Sequence, residues 1–95
     1  MPELLTLVIY DIPDDDLRVK VAKFLLSKGL KRIQRSAFIG PLTSSQRADL
    51  IAGLKRLVAG RRANIQVFPL TQASYNQRAS IGVELRYDEE DRLIT

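Results

Sequence analysis

The chain has no cysteine, no histidine and no tryptophan, and only six of its residues are Tyr or Phe. Without cysteine there is no disulfide, no thiolate metal site and no cysteine nucleophile, a usage that fits a reducing compartment. Without histidine the usual general base of hydrolases and the usual zinc ligand are also gone. Any catalysis must therefore rest on carboxylates, hydroxyls, lysine, arginine, or a bound metal and its water. No apolar run approaches the roughly 20 residues needed to cross a bilayer, and the start of the chain lacks a basic segment followed by an apolar core. A soluble, cytoplasmic protein with no membrane contact is expected. At 95 residues, 45% of them hydrophobic, there is material for one modest core, and dimerisation is a reasonable way to bury more surface.

What is present is charge, unevenly placed. From Arg18 to Arg62 twelve Lys and Arg face a single acid, Asp49, whereas the last eight residues hold four acids and one arginine. So pure a cationic stretch favours a polyanion such as nucleic acid over a merely solvated helix surface. One acid stands apart from this pattern. The apolar run Leu4-Leu5-Thr6-Leu7-Val8-Ile9 stops at Tyr10-Asp11-Ile12-Pro13. The run is too uniformly apolar for a strand with one wet face, so it reads as a central strand delivering Asp11 to its tip. An Asp before a Pro is also an ordinary turn residue, and from this stretch alone that reading is the stronger.

Asp14 or Asp15 can cap a helix, with Asp16 beside them in its first turn. Leu17, Val21, Phe24 and Leu25 form its apolar face, Lys20, Lys23 and Ser27 its wet face, and Gly29 stands past the last turn. At about 100° per residue Arg18 points into the apolar sector. Either it pairs with the Asp11 carboxylate or a phosphate beside it, or its stem covers core while its head reaches solvent. Lys31 to Leu42 is extended but irregular, one kinked strand or two short ones bending near Gln34 to Ser36. Thr43 and Gln46 make a capping box for a helix carrying Leu50, Ile51, Leu54, Leu57 and Val58 up to Gly60. Ile65 to Leu70 is a further strand and Thr71 to Ser80 a polar connector. Ile81, Val83, Leu85 and Tyr87 alternate with polar residues, giving a late strand with one buried face.

If the extended segment folds back on itself, the order is that of an α+β, ferredoxin-like βαββαβ sandwich with a core over about 1–72 and an additional strand at about 80–88. The late strand could lie on its own sheet or on a neighbour's. Two nucleic-acid chemistries suit such a frame. RNA recognition by stacking needs exposed aromatics in a basic, glycine-containing octamer, and Tyr10 and Phe38 match that poorly. A metal-assisted nuclease needs one or two carboxylates for magnesium, which two copies of Asp11 across a two-fold axis would supply.

Tyr10-Asp11-Ile12 closing an apolar strand, then Asp15, Leu17 and Arg18, then Lys28-Gly29-Leu30, and above all Arg32-Ile33-Gln34-x-Ser36-x-Phe38-x-Gly40, resemble the CRISPR-associated protein two family. The resemblance covers nearly the whole chain. It implies a ferredoxin-like homodimer whose C-terminal strand docks on the partner subunit, and a Mg2+-dependent endonuclease for RNA or DNA with Asp11 of both subunits as the metal ligand. It also implies a role in spacer acquisition for antiviral defence, with CRISPR-associated protein one, the integrase, as partner. An alternative role is that of a non-catalytic DNA-binding scaffold. Matching family positions are Tyr10, Arg18, Arg32, Ser36 and Phe38: phosphate contact for the arginines, hydrogen bonding for Ser36, packing or stacking for the aromatics. Asp11, Arg18, Arg32 and Ser36 are thus the expected catalytic set. Tyr10, Arg18, Lys20, Arg32, Arg35 and Phe38 are the expected nucleic-acid contacts. Arg35 stands where many relatives have an aromatic, and Ala37 where they have Val.

Overall fold

The computed structural model describes residues 3–83. Its elements run β1 (Leu4–Asp11), α1 (Asp15–Ser27), β2 (Lys31–Gln34), β3 (Ala37–Leu42), α2 (Ser44–Val58), β4 (Asn64–Leu70) and α3 (Gln72–Asn76). Among the described residues the strands form one sheet in the order β2-β3-β1-β4, with every neighbouring pair antiparallel. With α1 joining β1 to β2 and α2 joining β3 to β4, this is the ferredoxin-like βαββαβ arrangement. The late strand expected over Ile81 to Tyr87 lies, beyond Val83, outside the described residues.

Local chemistry explains each boundary. The Asp14 carboxylate accepts from the Leu17 N–H at 3.0 Å and starts α1. Gly29, at φ +87°, ends it: the Leu30 N–H reaches the Leu25 carbonyl and the Gly29 N–H the Leu26 carbonyl, the double closure of a Schellman motif. The extended segment resolves into two short strands with the turn at Arg35–Ser36, and the ladder between them slips between Arg32 and Gln34. Thr43 and Gln46 close the capping box of α2 from both sides, at 3.1 and 2.9 Å. Thr71, expected in a polar connector, instead caps α3 by accepting from the Ser74 N–H at 3.0 Å.

Strand β1 is central, as its composition suggests, and it alternates in burial. Thr6, Val8 and Tyr10 are buried and share the core with Leu17, Val21 and Leu25 of α1 and Leu50 and Leu54 of α2. Leu5, Leu7 and Ile9 are only half-buried, because they point to the opposite face of the sheet. Opposite Leu7 stand Ile39 on β3 and Phe68 on β4; opposite Leu5 stand Pro41 and Leu70. That face is therefore apolar across three strands, and Phe68 is among its exposed members. The helices close approach on the core side depends on small residues. A Cβ on Gly53 of α2 would lie 2.3 Å from Cζ of Phe24, so the Phe24 ring of α1 seats directly on the α2 backbone.

Candidate functional site

Asp11 is the last residue of β1 and is exposed. It has the same strand parity as Leu5, Leu7 and Ile9, so it continues their row on the apolar face rather than facing the helices. Directly across the ladder is Asn64, the first residue of β4, followed on the same face by Gln66 opposite Ile9. Three polar side chains thus gather at one corner of an otherwise apolar sheet face. No group of three or more Asp, Glu, His or Cys that could hold a metal occurs among the described residues. One exposed carboxylate still suits magnesium, which takes oxygen ligands and keeps several waters, but a single protomer supplies only part of such a site.

The acids after Asp11 have structural duties. Asp14 caps α1, and its second oxygen accepts from the Arg61 guanidinium at 2.8 Å, tying the start of α1 to the loop before β4. The Leu17 N–H, and then the charge of Arg61, hold the Asp14 carboxyl below the usual carboxylate range. Asp15 pairs with Arg18 within the first turn.

Arg18 has a different setting from either partner expected of it. Its guanidinium donates to the Ile12 carbonyl at 2.8 Å and the Pro13 carbonyl at 3.1 Å as well as to Asp15. It clamps the turn that follows Asp11, and no bond joins it to the Asp11 carboxylate. An arginine in the first turn of α1 is closer to the carbonyls it has just left than to a side chain on the far face of the strand.

Arg32, Phe38 and Tyr10 form a column on the core side. The Arg32 guanidinium lies over the Phe38 ring at 5.5 Å, and the Phe38 and Tyr10 rings stack at 6.2 Å between centroids with 22° between planes. All three are buried, Phe38 completely. Arg32 also donates from Nε to the Arg35 carbonyl at 2.9 Å, which holds the β2–β3 turn. The Tyr10 hydroxyl is enclosed with no protein hydrogen bond of standard geometry. Burial pushes the phenol up, with the nearby positive charges of Arg32 and Arg18 pulling the other way. A fully enclosed Phe38 offers no face to a base, so its contribution here is packing, and truncating it to Ala would cost about 3–5 kcal/mol of stability.

Ser36 is half-buried in the same turn, and its carbonyl accepts from the Tyr10 N–H at 3.0 Å, extending the β1 ladder toward Asp11. Lys20 and Arg35 are exposed, as are Arg61 and Arg62 in the loop before β4. The structure thus gathers Asp11, Tyr10, Arg18 and Ser36 around the end of β1, with Arg32 and Phe38 beneath. Sequence reasoning missed Asn64 and Arg61. Both reach the site through pairing across the fold, Arg61 to a residue 47 positions away.

An antiparallel ferredoxin-like domain with an exposed acid at the tip of its central strand and exposed cations around it is a recognisable class of small α+β protein. Within that class, the chain belongs to the family described as CRISPR associated protein Cas2, whose family model matches residues 4–78. It is 46% identical over 79 residues to the CRISPR-associated endoribonuclease Cas2 of Korarchaeum cryptofilum, covering 83% of this chain and 85% of that one. It is 45% identical over 62 residues to a CRISPR-associated endonuclease Cas1/endonuclease Cas2 fusion of Thermoproteus tenax, 65% of this chain and 24% of the fusion. A hypothetical protein of Thermus thermophilus superposes with a TM-score of 0.74 at 33% identity, over 88% of this chain and 96% of that one. The fold is also that of Streptococcus pyogenes Cas2, at a TM-score of 0.70 and 23% identity, over 83% and 100% of the two chains.

Proposed function

We propose that this chain is a magnesium-dependent endonuclease of CRISPR adaptation, hydrolysing phosphodiester bonds of RNA or DNA as a homodimer. The observation that carries the reading is the parity of Asp11, which ends a row of half-buried apolar side chains on the sheet face opposite the helices. A face of this kind is suited to cover by a second copy, and a two-fold pairing would bring two strand tips together. The family membership and the names of the relatives support nuclease chemistry, and the fused relative supports a Cas1-type integrase as partner.

Asp11 from each subunit would hold the ion, which when bound neutralises phosphate charge and makes water a better nucleophile near neutral pH. Every other duty falls to the chain. Water attacks phosphorus in line and the bond to the leaving oxygen breaks, so the strand tip must hold its direction, which the Arg18 clamp and the Arg32–Phe38–Tyr10 column provide. The exposed Lys20, Arg35 and Arg62 attract the backbone phosphates. In this reading Arg18 and Arg32 position the site rather than touch the substrate. The test is Asp11→Asn assayed on RNA and on duplex DNA with and without magnesium. Cleavage that needs the metal and disappears in the variant is expected; unchanged cleavage would overturn the mechanism.

A second reading, a DNA-binding scaffold of the spacer-integration complex without its own chemistry, is favoured because no group of three or more Asp, Glu, His or Cys that could hold a metal occurs among the described residues. It is supported if Asp11→Asn leaves DNA binding and integrase assembly intact while charge reversal at Lys20 or Arg62 weakens both and flattens the salt dependence.

A further inference from the structure

The strand tip carries more than an acid. Asn64 is the cross-strand partner of Asp11, so the two side chains leave the same sheet face at neighbouring positions, about 5 Å apart at Cβ. Both are exposed. The Asn64 Oδ1 accepts from Nε2 of Gln66 at 3.3 Å, and Gln66 stands on the same face two residues along β4. That bond occupies the carbonyl end and leaves the two N–H donors of Nδ2 with no partner among the described residues. A turn or capping role is absent, since Asn64 begins a strand and its side chain bonds neither to a backbone group nor to Asp11. Arg61 is engaged by Asp14, whereas Arg62, two residues before Asn64, is exposed and has no partner among the described residues.

From this we infer that Asn64 is a substrate-contacting residue: its Nδ2 donates to a non-bridging oxygen of the phosphodiester held at Asp11, and Gln66 orients the amide for that purpose. The assignment rests on the reading of Asp11 as part of a phosphate-handling site. The chemistry suits the position. A carboxylate alone repels a phosphate, and a neutral donor beside it can accept the anion without forming a salt bridge that would take the carboxylate away from its own task. An arginine in the same place would pair with Asp11 and close the site.

The test uses the full chain and a fluorescein-labelled duplex and a single-stranded RNA of defined length, with affinity read by anisotropy in magnesium at fixed salt. Asn64→Asp, close to isosteric, replaces the donor by a second negative charge and is expected to weaken binding about tenfold or more. Asn64→Leu removes the whole amide without adding charge and is expected to weaken binding about three- to tenfold, because a charge-assisted hydrogen bond is lost and part of it is recovered by water. Gln66→Leu, which frees the amide to rotate, gives a smaller loss in the same direction. Parental affinity in Asn64→Asp, with unchanged thermal midpoint, would overturn the assignment. So would equal losses in Asn64→Leu and in an exposed, uncharged change remote from the tip such as Ser45→Leu. Cleavage by Asp11→Asn is measured in parallel. If the parent chain binds but does not cleave, the nuclease reading fails while the Asn64 effect on binding still decides this one.

Discussion

Gly40 is the glycine whose replacement would press on neighbouring backbone as well as on a side chain. It lies in β3 opposite Thr6, and a Cβ added there would stand 2.7 Å from Cδ2 of Leu30, 3.1 Å from Cα of Leu30 and 3.2 Å from the carbonyl oxygen of Gly29. Comfortable carbon contacts are about 3.5–4.0 Å. The first clash involves a side-chain end, but Leu30 is itself buried and has little room to turn. The other two involve backbone held by the Gly29 and Leu30 N–H bonds that close α1. Overpacking of this kind costs about 1–3 kcal/mol, reduced by about 0.5–1 kcal/mol because alanine gives up less freedom on folding than glycine. A net loss of about 1–2 kcal/mol should lower the thermal midpoint of Gly40→Ala by about 5–15 °C. The measurement is a double-mutant cycle with Leu30→Ala, by thermal and urea unfolding at one protein concentration, since association would shift the midpoints. Removing Cδ2 should reduce the Gly40→Ala penalty by about 0.5–1 kcal/mol while leaving a remainder from the two backbone contacts. A neutral Gly40→Ala, or an identical penalty in both backgrounds, would refute the packing argument.

Other expectations follow from buried and charged groups. Thr6→Val should stabilise the fold by about 1 kcal/mol in urea titrations, because the Thr6 hydroxyl is buried without a partner and valine keeps its shape. A loss of stability would mean that the hydroxyl is bonded. The carboxyl of Asp14 is held low, so its contribution is present above the ordinary carboxylate range and disappears as pH falls through its folded value. The acid limb of the stability profile should therefore flatten in Asp14→Asn, and an unchanged limb would rule Asp14 out as its source. The phenol of Tyr10 is held high, so stability is complete below the ordinary tyrosine range, near 10, and is lost as pH rises beyond it. Tyr10→Phe should keep the ring stack and lessen that alkaline loss, as followed by far-ultraviolet circular dichroism between about pH 9 and 12.

Much of the frame was legible because its signals are local. Asp14, Gly29 and the Thr43–Gln46 pair each act within one helical turn, and each ends or starts a helix where its chemistry says it should. The break inside Lys31 to Leu42, and its place near Gln34 to Ser36, were legible from failed alternation, whereas the ladder slip between Arg32 and Gln34 was not. The short α3 escaped notice because Thr71 caps a helix with no apolar periodicity to reveal it. At the site, Asp11 was legible as the end of an apolar run. Its surroundings were not, because they come from register. Nothing in the sequence says that Asn64 stands opposite Asp11, that Arg61 reaches Asp14, or that Arg32 lies over Phe38 on the core side. Arg18 illustrates the same point: its wheel position suggested an ionic partner across the strand, and the carbonyls of Ile12 and Pro13 reached it first.

Alternation along β1 also makes the strand a counter. Asp11 emerges beside Leu5, Leu7 and Ile9 only because it lies an even number of positions along the strand from each of them. Insertion or loss of one residue between Ile9 and Asp11 would turn the carboxylate toward α1 and present Tyr10 or its successor outside, with composition and hydrophobicity almost unchanged. Length between these positions should therefore tolerate change less readily than the identity of the apolar residues themselves. Substitutions among Leu, Ile and Val alter how well the face packs, whereas a shift of one position changes which side of the sheet carries the acid.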